Sequence, residues 1–168
     1  LQTFGYVYSR MTNPTVSVFE ERVAQLEGGR GAVATSSGHA AQFIAAATLM
    51  EAGDEFIASR NLYGGSVTQF GVSFPKLGWK CNFVDPTDPA NFEKAMNDKV
   101  KFIFCEGVAN PGGIILDLEK IAEIAHKHGV LLIVDNTLAS PYLLRPFEWG
   151  ADLVVHSTTK FIGGHGNT

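Results

Sequence analysis

Cysteine is scarce in this sequence: only Cys81 and Cys105 occur among 168 residues. Each sits in an apolar, strand-like run, Trp79 to Val84 and Lys101 to Cys105, the usual setting of reduced buried thiols, so no disulfide is expected. Excess basic charge is missing too. Lys and Arg number 13 against 17 Asp and Glu, the net charge is -4, and the cations are scattered, which leaves no patch to neutralise a nucleic-acid backbone. No apolar stretch reaches the roughly 18 residues needed to cross a bilayer. The N-terminus lacks a charged-then-apolar leader pattern, and a cytoplasmic protein without membrane contact is expected. His126 and His128 lie two apart at a helix end, where they suit the negative end of the helix dipole; no third ligand has suitable spacing, so no metal site is expected. The GxGxxG spacing of dinucleotide folds and the GK[ST] ending of the P-loop are both absent, which removes support for nucleotide binding.

What is present is the composition of an ordinary globular domain, 45% hydrophobic and 18% charged, long enough to bury one core. The chain opens at Leu1 and stops at Thr168 inside a glycine-rich loop, and it reads as a piece of a longer polypeptide. Asn13-Pro14 looks like a helix start, with Val16, Phe19, Val23 and Leu26 on one face and Gly28-Gly29 as the stop. A strand, Ala32 to Thr35, is expected to run through Ser36-Ser37-Gly38-His39 into an alanine-rich helix, Ala40 to Met50. The alternation continues with strand Glu55 to Ala58, helix Gly65 to Lys76, strand Trp79 to Val84 and helix Ala90 to Asn97. It resumes with strand Lys101 to Cys105, helix Leu118 to His128, and strands Val130 to Val134 and Asp152 to Val155. Val130 to Val134 is apolar on both faces, as central strands covered by helices on either side are. Repeated strand-helix units imply an α/β fold with three layers, α/β/α, around a mostly parallel sheet.

In open α/β sheets ligands collect beyond the carboxyl ends of the strands. The residues placed there are polar: Ser37-Gly38-His39, Tyr63, Glu106 and Asn110, Asp135-Asn136, and His156 through Lys160. Ser37-Gly38-His39 at a helix start presents amides to an anion, or is a plain capped turn. Asp135 follows an apolar strand, where a carboxylate is costly without a cation or donor; it reads as a loop cap or as the partner of a protonated pyridine nitrogen. Lys160 follows the apolar run Leu153 to Val155, a position expected to be poor in solvent, and partial burial would help its amine form a Schiff base. Ser157 and Thr159 place hydroxyls beside it. Tyr63 is either a face for an aromatic ring or a loop anchor.

In this order, Tyr8-Ser9-Arg10 with Asn13-Pro14-Thr15, Ser37-Gly38, Leu62-Tyr63-Gly64-Gly65, Glu106 with Ala109-Asn110-Pro111, Val134 to Thr137, and Ser157 to Lys160 followed by Gly164-His165-Gly166 resemble the Cys/Met-metabolism family of pyridoxal 5'-phosphate (PLP) enzymes. The resemblance runs nearly the whole chain. It implies the large domain of the aspartate-aminotransferase fold, fold type I, over residues 31–168, and an N-terminal arm and helix over residues 1–30 that contact a neighbouring subunit. It implies that Lys160 bonds covalently to PLP and later moves protons between substrate carbons, that Asp135 holds the pyridine nitrogen, and that Tyr63 stacks on the ring and assists proton transfer. The phosphate falls to the amides of Gly38 and His39, to Ser37 at the same turn, and to Ser157 and Thr159. Asn110 lies in a cofactor-facing loop, and Tyr8 and Arg10 reach the neighbour's phosphate site, so the family assembles as a dimer or a dimer of dimers. His39 stands where relatives often carry glutamine or methionine. The family's smaller C-terminal domain, with the arginine for the substrate carboxylate, is not among these 168 residues.

Within the family, Tyr8 to Thr15, Ser37 to Gln42 and Arg145 to Asp152 look most like O-acetylhomoserine sulfhydrylases. That likeness implies exchange of the γ-acetoxy group of O-acetylhomoserine for sulfide, giving homocysteine and acetate. The alternatives are a cystathionine γ-synthase or a cystathionine or methionine γ-lyase. A reading from another class is a non-catalytic α/β binding module that keeps the fold but lost activity through truncation.

Overall fold

The computed structural model describes residues 5–166, so residues 1–4 of the expected arm and 167–168 of the expected large domain lie outside the described residues. Helix α1, Pro14–Glu27, starts where Asn13 Oδ1 accepts the amides of Thr15 and Val16, and it ends on Gly28 at φ 77°. Helix α2, Gly38–Leu49, is capped by Ser37, whose hydroxyl accepts the Ala40 amide at 3.1 Å. Five strands follow in sequence with the shorter helices: β1 Glu55–Ser59, α3 Gly64–Thr68, β2 Lys80–Val84, α4 Ala90–Lys94, β3 Val100–Glu106, α5 Leu118–Lys127, β4 Leu131–Asp135, α6 Ser140–Leu143 and β5 Leu153–Val155. All neighbouring strands pair in parallel, in the order β2-β1-β3-β4-β5.

Alternate residues of the central strands feed two separate cores. Phe56, Ala58, Phe102, Phe104 and Ile133 pack with α2 residues Ala45 and Ala46 and with Phe70, Phe74 and Trp79. Ile57, Ile103, Cys105, Leu132 and Val134 pack on the opposite face with Phe92 of α4 and with Leu118, Ile121, Ala122 and Ala125 of α5. This two-sided burial is what an apolar run with no polar alternate produces, and it gives the expected three-layer α/β/α arrangement.

Two local expectations are corrected, and two features go beyond the sequence reading. Ala32 to Thr35 belongs to no strand: Val33 is 79% exposed, and the Ala34 amide donates to Glu20 Oε1 at 2.7 Å instead of to a ladder. An apolar run becomes a strand only where a neighbour lies beside it, and none does here among the described residues. The helix expected over 65–76 is α3, then a π turn, Gln69–Ser73, then a 3-10 turn, Phe74–Leu77, where Pro75 brings no amide. Helix α6 and a 3-10 turn, Pro146–Trp149, were not foreseen, although Pro141 and Pro146 sit at their first turns. On α1, Val16, Phe19 and Leu26 remain 40–43% exposed, so its expected apolar face is only partly covered within one chain. The helix is anchored through buried Glu27, whose carboxylate meets Asn136 Nδ2 and His156 Nε2 at the ends of β4 and β5.

Candidate functional site

Parallel strands carry their carboxyl ends to one edge of the sheet, and the loops there enclose a cavity of about 510 Å³. That volume lies in the range of small-molecule sites, roughly 300–1,000 Å³. Nine of the eleven residues singled out from the sequence line it: Ser37, Gly38, His39, Tyr63, Asn110, Asp135, Ser157, Thr159 and Lys160. They come from separate segments that only the sheet order brings together.

Asp135 ends β4. Its Oδ1 accepts the Thr137 amide at 2.9 Å, and its Oδ2 accepts Nε2 of Gln42 at 3.0 Å. Gln42 is 5% exposed on the inner face of α2, and its second Nε2 hydrogen goes to the buried Ser66 hydroxyl at 3.0 Å. One side chain therefore ties α2, α3 and the end of β4 together and aims the carboxylate. Next to β4 in register, Glu106 ends β3 opposite Asp135. Its Oε1 accepts the Tyr63 amide at 2.7 Å and its Oε2 the Asn110 amide at 2.8 Å. Burial pushes the Glu106 carboxyl up to about 7; the two amides pull it back down, and the charge of Asp135 raises it further.

Tyr63 is half exposed, and its ring stacks beside the His39 ring, with centroids 5.8 Å apart and planes 29° from parallel. Gly65 lies under this pair. A Cβ there would come within 2.5 Å of His39 Cε1 and 2.6 Å of Tyr63 Cε1. At the other side, the N-terminus of α2 approaches Ser157 so closely that a Cβ on Gly38 would meet Ser157 Cβ at 2.9 Å and Cα at 3.2 Å. The Ser157 amide in turn donates to Thr137 Oγ1 at 2.8 Å. Amides at a helix start, neighbouring hydroxyl-bearing residues and a glycine that admits close approach are groups that could hold an anion such as a phosphate.

Lys160 sits in a loop coiled on itself, with the Gly164 amide donating to the Lys160 carbonyl at 2.7 Å. It lines the cavity, yet it is exposed, so the partial burial expected from the apolar run before it is not what this chain provides. In the three-residue strand at the sheet edge only Val155 is buried, and the residues between it and Lys160 are partly covered. Its amine forms no ion pair among the described residues. Tyr8 and Arg10 lie outside the cavity on the exposed arm, with the Arg10 guanidinium 5.2 Å above the Tyr8 ring. Both cysteines are free thiols; burial pushes each of them up, and Cys105 is wholly enclosed.

The sequence reading assigned no role to Gln42 or to Glu106, although both fall in motifs it used. The available signal was a glutamine in an otherwise apolar helix and a carboxylate closing an apolar strand, since buried polar groups nearly always have partners. Asn110 is four residues from Glu106, but the partners that tie these groups to other segments lie 93 residues from Gln42 and 43 from Glu106, where spacing rules do not reach.

A family model described as Cys/Met metabolism PLP-dependent enzyme matches residues 1–168. The chain is 50% identical over 168 residues to an O-acetyl-L-homoserine sulfhydrylase of Leptospira meyeri and 48% identical over 169 residues to a homocysteine/cysteine synthase of Saccharomyces cerevisiae. In each case the whole chain is covered, and it spans 38% of the relative's length. A crystal structure described as that of an O-acetylhomoserine (thiol)-lyase from Campylobacter jejuni, containing N'-pyridoxyl-lysine-5'-monophosphate, superimposes with a TM-score of 0.95 at 40% identity; the match covers all of this chain and 41% of that one.

Proposed function

The chain belongs to the Cys/Met-metabolism family of PLP-dependent enzymes and has its fold type I architecture, and from that premise we propose that the protein exchanges the γ-acetoxy group of O-acetylhomoserine for sulfide, giving homocysteine and acetate. The observation that carries the reading is the convergence of Lys160, Asp135, Tyr63 and the α2 N-terminus on one cavity of about 510 Å³. The names of the matched relatives support the choice of substrate.

The residues fit the cofactor. Ser37, Gly38, His39, Ser157 and Thr159 would hold its phosphate, Asp135 its pyridine nitrogen, Tyr63 and Asn110 its ring, and Lys160 its aldehyde carbon. When bound, PLP supplies a protonated ring that takes up the electron pair left at a substrate carbon. Asp135 would accept a hydrogen bond from the ring nitrogen, its own orientation fixed by Gln42 and the Thr137 amide. The Lys160 amine, which forms no ion pair among the described residues, would remove a proton at Cα and then at Cβ, so that acetate could leave Cγ and sulfide enter there. Residues 31–168 form the cofactor-binding large domain, residues 1–30 the arm and helix that meet a neighbouring subunit, and Tyr8 and Arg10 complete that neighbour's phosphate site in a dimer or dimer of dimers. The cytoplasm suits its two free thiols.

The test is the full-length protein with PLP. A yellow protein whose adduct borohydride traps on Lys160, and which is lost in Lys160→Ala, supports the reading, as does sulfide-dependent homocysteine formation from O-acetylhomoserine. Release of an α-keto acid in its place assigns a γ-lyase. A protein that stays colourless with excess PLP is the non-catalytic binding module.

A further inference from the structure

We propose that Glu106 is a positioning residue of the cavity, one that fixes the loop carrying Tyr63 against the loop carrying Asn110 by holding one backbone amide of each on its two carboxylate oxygens. This rests on the proposed cofactor site and adds a residue to it. The Tyr63 and Asn110 amides stand 2.7 and 2.8 Å from the two oxygens, and the carboxylate is 5% exposed. No cation pairs with it among the described residues.

A purely structural role would not select this side chain. A carboxylate without a cation is expensive to bury, and here it lies in register beside a second one, Asp135. What glutamate alone supplies at this length is an acceptor on both terminal atoms. Glutamine would keep one acceptor and turn an NH₂ group against the other amide. The two amides it holds belong to the residues that close the cavity from two different strand ends, after β1 and after β3. Tyr63 begins α3 without any side-chain cap of its own, so the Glu106 carboxylate is what sets the height of its backbone, and with it the ring that stacks beside His39.

The experiment uses the full-length protein, wild type and Glu106→Gln, at about pH 8.5, where the Glu106 carboxyl is ionised and both oxygens accept, with PLP as the probe. Amide hydrogen exchange is followed in peptides covering 61–66 and 107–112, visible circular dichroism reads the bound cofactor, and borohydride trapping at Lys160 is the separate check on the site itself. In wild type without PLP, the Tyr63 and Asn110 amides are expected to exchange as slowly as those of β3. In Glu106→Gln the expectation is exchange faster by about tenfold or more in at least one loop, visible dichroism reduced by about half or more, and trapping retained. Wild-type amides that exchange like an open loop overturn the proposal even if the variant does not fold. So does a folded variant whose exchange and dichroism both match wild type. Loss of trapping in the wild type would instead count against the cofactor reading, and the exchange data would still decide the role of Glu106.

Discussion

Two carboxylates end adjacent strands in register, and their surroundings set them different tasks. Asp135 receives a side-chain donor from Gln42 that ties it to α2, while Glu106 receives only backbone donors and is the more enclosed. Because burial, aided by Asp135, pushes Glu106 from the usual 4.5 up to about 7, the folded chain keeps that proton in a range where the unfolded chain has released it. The folded state thus binds more protons between these values, and stability falls as pH rises through the window: the contribution is fully present below 4.5 and gone above 7. The expected size is on the order of 3 kcal/mol at 1.36 kcal/mol per unit. Urea unfolding of the apoprotein at pH 5 and pH 7.5 should show this slope, and Glu106→Gln should flatten it; an unchanged slope would mean that Glu106 titrates normally. For Gln42→Leu, both donors to Ser66 and Asp135 are lost, so PLP affinity measured by absorbance titration should fall about tenfold and stability by roughly 1–3 kcal/mol. An unaltered affinity would show that Asp135 needs no orienting partner.

At the scale of elements, what was legible in the sequence is what local rules govern. Asn13, Ser37 and Gly28 mark helix ends through their own caps, and the doubly apolar runs of β3 and β4 announce their central place. Ala32 to Thr35 was misread because its hydrogen-bonding neighbour is a property of topology, not of its residues, and Lys160 because burial along a strand does not extend into the loop after it. The close approach of α2 to the 157–160 loop was visible only as a glycine. Gly38→Ala puts a methyl 2.9 Å from Ser157 Cβ and 3.2 Å from its Cα, too near to be absorbed by a side-chain rotation. The helix must back away, at a cost of about 1–3 kcal/mol, and PLP affinity by fluorescence titration should drop about tenfold or more. Gly31→Ala, whose Cβ would meet nothing within 4 Å, is the control and should bind as wild type does. Equal affinities for the two variants would remove the α2 cradle from the phosphate site.

For the whole molecule, the two proposed site residues that the cavity leaves out lie on the same segment as a half-covered apolar helix face. Tyr8 and Arg10 are outside the cavity, and Val16, Phe19 and Leu26 on the helix that follows are open to 40–43%. Yet α1 does not hang loose, since Glu27 is buried against Asn136 and His156 at the strand ends. A helix anchored at one end, with an apolar face and an arginine at the other, is suited to lie against a second copy, and this supports the proposed exchange of Tyr8 and Arg10 between subunits. That arrangement has a specific consequence in mixed oligomers of the full-length protein. Lys160→Ala removes the amine of a subunit's own site, whereas Arg10→Ala injures the site next door, so each variant alone should be inactive or nearly so. In a mixed dimer one site receives both lesions and the other receives none. Free mixing makes about half of the dimers hybrid, and each hybrid has one intact site of two, so about a quarter of wild-type homocysteine formation should return. If Arg10 served its own subunit, both sites of the hybrid would carry a lesion and mixing would restore nothing.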